Sequence, residues 1–306
     1  MRIIVLGSAA GGGFPQWNCN CSNCRRARSG DPAAWPRTQC SLAVSADGRD
    51  WFLLNAAPDL RQQILATRAL DPADGLRHSP IAGVVLAGGE IDAVAGLLTL
   101  RERQPFTLYA TQRTLDLLAG SRMFDALAAD CVERRALPLG RPAALDGPAG
   151  RSGLEVELFP VPGKIPLYME DRTTTPRLDV AGEDTVGIRV GDGRRTLFFI
   201  PGCATLTPEL ARRLAGADLL LFDGTLWRDD EMIRLGLGAK SGRRMGHMSI
   251  GGPEGSLAAL SGIAVQRRIY IHLNNSNPVL IEDSPERAAV LAAGWEVAQD
   301  GMEILL

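Results

Sequence analysis

Short apolar runs, each stopped by Gly, Asn, Asp or Pro, recur along the first half of this chain at residues 2–6, 41–45, 51–55, 81–86 and 107–110. Runs of four to eight residues bounded in this way read as buried strands. Between the later ones, apolar residues return at three- and four-residue spacing over 59–68, 93–102 and 113–129, which is the pattern of helices packed on one face. The second half repeats the style, with strands expected at 154–160, 185–190, 196–200, 219–222, 268–272 and 296–297, and helices near 208–215, 255–260 and 284–293. A chain that begins almost all-β and then acquires a helix after each strand, twice over, predicts an α/β architecture of two packed sheets with helices on the outer faces, an αββα sandwich. No linker divides the halves, so residues 1–306 are expected to form a single domain. Residues 163–183 are polar and aperiodic, and a loop of that length reads as a lid over a site.

Composition narrows the function classes. With 306 residues, 45% of them hydrophobic, the chain can bury a full core. Its 33 Lys and Arg stand against 35 Asp and Glu, so no basic excess points to nucleic acid. No apolar run approaches the ~18 residues of a membrane span, and the start lacks a secretory pattern, so a cytoplasmic protein that binds no membrane is expected. Thiols in that compartment stay reduced, which favours metal ligation over disulfides.

That bears directly on Cys19-Asn20-Cys21-Ser22-Asn23-Cys24, where three of the six cysteines fall within six residues. A C-x-C-x-x-C loop lets three thiolates converge on one Zn²⁺ ion, with a fourth ligand supplied from elsewhere, here the loop His272 to Asn275. Three unrelated thiols, or a disulfide with one cysteine left over, are the plainer readings.

Only three histidines exist, His78, His247 and His272. His272 ends an apolar strand and opens a loop dense in Asn and Ser, where it can serve as a metal ligand or as a loop anchor. Asp223 ends the buried run Leu219-Leu220-Leu221-Phe222, where an unpaired charge is costly and calls for a metal or an Arg partner. Glu90 and Asp92 alternate in the segment after the 81–86 strand and can reach one hard cation, while Asp92 also suits a helix cap. His247 lies in a Gly-rich loop before a helix, as a ligand, a general acid or base, or a loop residue. The glycines of residues 7–13 match no phosphate-loop signature.

The N-terminal strand with its glycine and cysteine loop resembles the tRNase Z and phosphodiesterase branch of the metallo-β-lactamase-fold superfamily. The strings Phe14-Pro15-Gln16-Trp17-Asn18-Cys19-Asn20-Cys21, Asp223-Gly224-Thr225-Leu226-Trp227, Met245-Gly246-His247-Met248 and Ile271-His272-Leu273-Asn274-Asn275-Ser276-Asn277-Pro278 are similar to the family of B proteins of pyrroloquinoline quinone (PQQ) synthesis. The resemblance implies the αββα fold, a role in making PQQ in bacteria and an active metal site at the sheet rims, while the cysteine spacing leads to the expectation of a structural zinc on Cys19, Cys21, Cys24 and Asn275. Hydrolases of the superfamily carry H-x-H-x-D-H where this chain has Gly88, Gly89, Glu90, Ile91, Asp92 and Ala93, and the later histidine expected near Pro162-Gly163 is also missing. A two-zinc hydrolase is therefore not expected. Instead Glu90, Asp92, Asp223 and His272 are expected to hold one harder ion such as Fe²⁺, with His247 and Asp92 in catalytic roles and His247 beside the substrate. PQQ arises from a Glu and a Tyr of a small peptide, so the resemblance implies an iron-dependent hydroxylation of the tyrosine with O₂. A non-catalytic carrier of PQQ or its precursor towards the periplasm is the rival, and a residual hydrolase the third reading. Other proteins of PQQ synthesis and a second copy of the chain are the expected protein partners.

Overall fold

A computed structural model describes residues 1–148, 150–170 and 181–306. The lid expected over 163–183 therefore lies partly outside the described residues.

The first sheet takes β1 (Arg2–Gly7), β2 (Ser41–Ser45), β3 (Trp51–Leu54), β4 (Ile81–Val85), β5 (Phe106–Ala110) and β6 (Val132–Ala136) in chain order. The second takes β7 (Ala143–Gly147), β8 (Gly150–Pro162), β9 (Ala181–Gly191), β10 (Thr196–Ile200), β11 (Ala217–Asp223), β12 (Val265–Ile271) and β13 (Glu296–Val297). A last strand, β14 (Glu303–Leu305), returns to the first sheet beside β1. Each sheet is mixed, antiparallel through its first strands and parallel from β3 to β6 and from β10 to β13.

Apolar runs on both faces of a strand make such a sheet bury on two sides. In β1, Ile3 and Val5 join the cluster between the sheets while Ile4 and Leu6 join the layer outside. In β11, Leu219 and Leu221 point inward while Leu220 and Phe222 pack under the outer helices. The sequence pattern and the layers thus agree, and the architecture is the αββα sandwich of two mixed sheets.

Differences from expectation concentrate at helix ends. The helix expected over 113–129 is α4 (Gln112–Ala119) in the order α1 (Ser22–Arg28), α2 (Leu60–Ala66), α3 (Ile91–Val94), α4; Gly120 caps it and a 3₁₀ turn, Arg122–Ala126, carries the pattern on. The helix expected over 93–102 is the single turn α3 followed by the 3₁₀ segment Ala95–Leu100, because Gly96 N–H bonds to Ala56 O across the layer. The remaining helices are α5 (Pro208–Leu214), α6 (Glu231–Arg234), α7 (Ser256–Ala259) and α8 (Pro285–Ala292). Strands β6, β7 and β14 had no clear apolar run to betray them. Among the described residues, no helix is long and apolar enough to cross a membrane.

Parallel strands all end on the same rim, and open α/β sheets bind ligands beyond the carboxyl ends of their strands. Here Asp92 follows β4, Asp223 ends β11 and His272 follows β12, so both sheets deliver side chains to one edge.

Candidate metal centres

The first centre is built on the start of α1. Cys21 is the N-cap residue in extended conformation, and its sulfur accepts the Cys24 N–H at 3.5 Å. Cys19 Sγ in turn accepts the Cys21 N–H at 3.5 Å. A side chain that caps a helix one turn ahead folds the C-x-C-x-x-C spacing back on itself, and the three sulfurs come within 4.8 Å of one another. Tetrahedral zinc, with Zn–S near 2.3 Å, sets its ligands about 3.8 Å apart, so the trio fits it with little contraction.

Asn275 closes the open side. Its Nδ2 lies 3.1 Å from Cys19 Sγ, 3.4 Å from Cys24 Sγ and 3.8 Å from Cys21 Sγ. A half-turn of that carboxamide exchanges Nδ2 for Oδ1 and presents an oxygen ligand to the same point. The loop is held for this by Asn23 of α1, whose Nδ2 donates to the carbonyls of Asn275, Ser276 and Asn277 at 3.3, 3.0 and 3.1 Å. Burial pushes the Cys24 thiol up to about 11. Burial also works against the Cys19 thiolate, but the N–H of Cys21, the neighbouring thiols and Asn275 outweigh it and hold that thiol below its ordinary value. Three thiols and one carboxamide make a closed donor set, the hallmark of a structural rather than a catalytic zinc site.

The second centre lies on the rim. Asp223, fully buried, accepts the Cys203 N–H at 2.8 Å and the Thr225 N–H at 3.0 Å. Its Oδ2 stands 2.8 Å from His247 Nδ1, and ligand atoms of Asp223, His247 and His272 all lie within 4.8 Å of one another. The two imidazoles stack with centroids 5.2 Å apart. Asp92 joins through Oδ2, 3.0 Å from His272 Nε2. His272 holds φ +60°, a left-handed conformation rare outside glycine, and such strain persists where the surroundings over-determine it, commonly at functional sites. Leu273 N–H to Ser8 O and Asn274 N–H to Thr225 O pin the chain just after it.

Burial disfavours ionised Asp92, yet His272 outweighs it and holds the carboxyl below its usual range. For His272, burial opposes the imidazolium, and Asp92 with the more distant Asp223 and Glu90 reverses the balance and raises it. Without a metal the two are hydrogen-bonded, and a cation that takes His272 Nε2 must displace that contact.

The structure therefore brings Asp92, Asp223 and His272 together as the sequence suggests, but Asp92, expected as a ligand, stands outside the ligand group and reaches it through His272, and the structure departs in two further places. His247, expected beside the substrate, stands among the candidate ligands themselves. Glu90, expected as a ligand, turns aside: its Oε1 is 2.6 Å from Lys164 Nζ and its Oε2 accepts the Leu167 N–H at 3.3 Å. Glu90 sits at the N-cap of α3 in extended conformation, so its side chain leaves the helix start towards the neighbouring loop while Asp92, two residues on, faces His272.

Sequence reasoning missed Thr225. Its Oγ1 lies 2.6 Å from Asp223 Oδ1, 3.0 Å from His247 Nδ1 and 2.9 Å from His272 Nδ1, so that one hydroxyl touches all three residues of the ligand group. A hydroxyl two residues beyond a strand-end aspartate was the available signal, since that spacing folds a Ser or Thr back onto the carboxylate. Asn277 links the two centres, its Nδ2 donating to Gly224 O at 2.8 Å. His78 stays apart, its Nδ1 accepting the Ala73 N–H at 3.2 Å.

The chain as a whole is similar to known proteins. The family model described as a beta-lactamase superfamily domain matches residues 50–273. The coenzyme PQQ synthesis protein B of Gluconacetobacter diazotrophicus is 57% identical over 303 residues, covering 99% of this chain and 98% of that protein. The crystal structure of Zn²⁺-bound PqqB from Methylobacterium extorquens superposes with a TM-score of 0.95 at 53% identity, covering both chains completely. A diphosphatase of the PhnP family, at 20% identity and a TM-score of 0.71 over 99% of this chain and 97% of its own, shares the fold.

Proposed function

The chain belongs to the beta-lactamase superfamily and, within it, to the coenzyme PQQ synthesis protein B family, and on that premise we propose that it serves PQQ synthesis by hydroxylating the tyrosine ring of a Glu-Tyr precursor with O₂ at an iron ion. One observation carries the reading: Asp223, His247 and His272 present two imidazoles and one carboxylate to a common point. That donor set, with positions left open, is the one used by non-haem Fe(II) oxygenases. When bound, iron would supply O₂ activation.

The protein's own residues account for the rest. Asp223 brings a buried negative charge to the site, and its two backbone N–H bonds fix its direction. Thr225 sets the rotation of both rings, because one hydroxyl proton can go to only one acceptor and the other contacts must adapt to it. Asp92 holds His272 from the opposite sheet. In the balanced reaction one oxygen atom of O₂ enters the ring in place of hydrogen, and the other leaves as water with two protons. Two electrons come from an external small-molecule reductant. The hydrolase reading is disfavoured by the residues at 88–93, where only Asp92 keeps the metal-binding identity of the superfamily motif.

Zinc belongs by this reading at Cys19, Cys21, Cys24 and Asn275, a role supported by the donor set and by the zinc-bound relative. A cytoplasmic location suits these thiols, which must stay reduced. The test is anaerobic loading of the full chain with Fe²⁺, then addition of Glu-Tyr, ascorbate and O₂. A hydroxylated tyrosine supports the oxygenase, whereas stoichiometric binding of the dipeptide without product supports the carrier.

A further inference from the structure

Of the 33 basic residues in this chain only two are lysine, Lys164 and Lys240, and both reach the same carboxylate. Lys164 Nζ and Lys240 Nζ each stand 3.3 Å from Glu170, and Arg244 Nη2 joins them at 3.2 Å. Lys164 also bridges to Glu90 at 2.6 Å. The cluster adjoins the rim centre through both of its loops: Glu90 lies two residues before Asp92, and Gly246 directly precedes His247. A Cβ on Gly246, whose φ of +91° already favours glycine, would lie only 3.2 Å from Lys164 Cγ.

Among the described residues the charges do not balance, since three cations face two carboxylates. Glu170 and Lys164 are sheltered, with side chains 6% and 13% exposed, while Lys240 and Arg244 open to solvent at 41% and 31%. Arg244 Nη1 is buried with no hydrogen-bond partner among the described residues, an arrangement that costs free energy unless an acceptor arrives. An ammonium carries three freely rotating donors, and Lys240 commits one of them to Glu170 among the described residues. Beside the cluster, Ile91, Leu167 and Tyr168 expose apolar surface, and Tyr168 Oη donates to Gly89 O at 2.7 Å, which fixes that wall next to the Glu90 turn.

We propose that Lys164, Lys240 and Arg244 form the recognition site for a carboxylate of the substrate, a specificity-determining element that selects an acidic dipeptide-sized molecule and leaves its aromatic ring for the neighbouring metal centre. The proposal rests on the reading above that the rim centre takes a Glu-Tyr substrate. It accounts for the surplus positive charge and the unpartnered guanidinium donor among the described residues, and for the placing of the chain's only two lysines. Glu170 serves as the internal counter-ion that keeps the three cations converged when no ligand is present; their charges outweigh its burial and hold its carboxyl below the usual range.

The test compares Glu-Tyr with a counterpart that lacks both carboxylates, Gln-Tyr carrying a C-terminal amide, by calorimetric titration of the iron-loaded full chain kept anaerobic. The wild type is expected to bind the acidic dipeptide at least about tenfold more tightly. Lys240→Met and Arg244→Met should each remove most of that preference, weakening Glu-Tyr about tenfold and leaving the diamide unchanged. In turnover the same variants should raise KM and spare kcat. Equal affinity of the wild type for both ligands, no binding of either, or an equal loss for both in the variants would overturn the proposal. The two readings fail separately: a discriminating pocket without hydroxylation sinks the oxygenase alone, and hydroxylation without discrimination sinks this site alone.

Discussion

His272 Nε2 meets Asp92 Oδ2 at 3.0 Å across 180 residues of sequence, and the two side chains come from different sheets. The rim centre therefore gains Asp92 only when the two sheets are packed together. Asp92→Ala should weaken Fe²⁺ binding at the rim by about 10- to 100-fold while zinc on the cysteines is retained. Metal analysis after equilibrium dialysis checks this, and wild-type iron retention in the variant would remove Asp92 from the account.

Thr225 touches Asp223, His247 and His272 through one oxygen. Thr225→Val keeps the shape and removes the hydroxyl, so iron affinity should fall about tenfold with the fold intact, and Thr225→Ser should restore most of it. The readout is iron affinity together with thermal midpoint. A variant that loses stability but not affinity would make the hydroxyl merely structural.

Cys21 is at once N-cap and candidate ligand. Its replacement by Ser keeps a capping group, so any large loss must come from the metal. Structural zinc contributes on the order of 10 kcal/mol to small sites, and Cys21→Ser is expected to yield zinc-free, poorly soluble protein. Purified wild-type protein without zinc would contradict this directly.

Asp218 fastens β11 to β10, accepting from Arg195 Nη1 at 2.7 Å and from Thr196 N–H at 2.8 Å. The Arg195 guanidinium holds its carboxyl below the ordinary value. Because the folded pKa is depressed, its contribution is present above the unfolded value near 3.9 and is lost as pH falls through the folded one. Asp218→Asn should thus cost about 1 kcal/mol at pH 7, with the gap to wild type closing as the pH drops below about 4. Urea midpoints across that range decide it, and a gap that stays constant in acid would exclude the ion pair as the cause.

What was legible in the chain follows from how many residues each signal spans. Strands β1, β3 and β11 are apolar on both faces, so their runs are unbroken and stand out. Strand β6, Val-Glu-Arg-Arg-Ala at the sheet edge, carries charge at three of five positions and looks like a loop. The cysteine knuckle is local and could be read from spacing alone. The rim centre is not local: His247 and Glu90 each sit in loops whose direction depends on what packs beside them. Glu90 was expected to face the metal because it alternates with Asp92, but the N-cap of α3 turns it to Lys164, a residue 74 positions away that no periodicity could bring near. Thr225 was visible as a letter and not as a hub, since its three contacts converge from separate parts of the chain.

Oxygen transfer at the rim is the reaction that decides the function. Fe²⁺-loaded protein, given Glu-Tyr, ascorbate and ¹⁸O₂, is predicted to return tyrosine hydroxylated with one ¹⁸O atom from the gas, and Asp223→Ala under the same conditions is predicted to return none. Dipeptide recovered unchanged from iron-replete wild-type protein, or product formed equally well by Asp223→Ala, would contradict it.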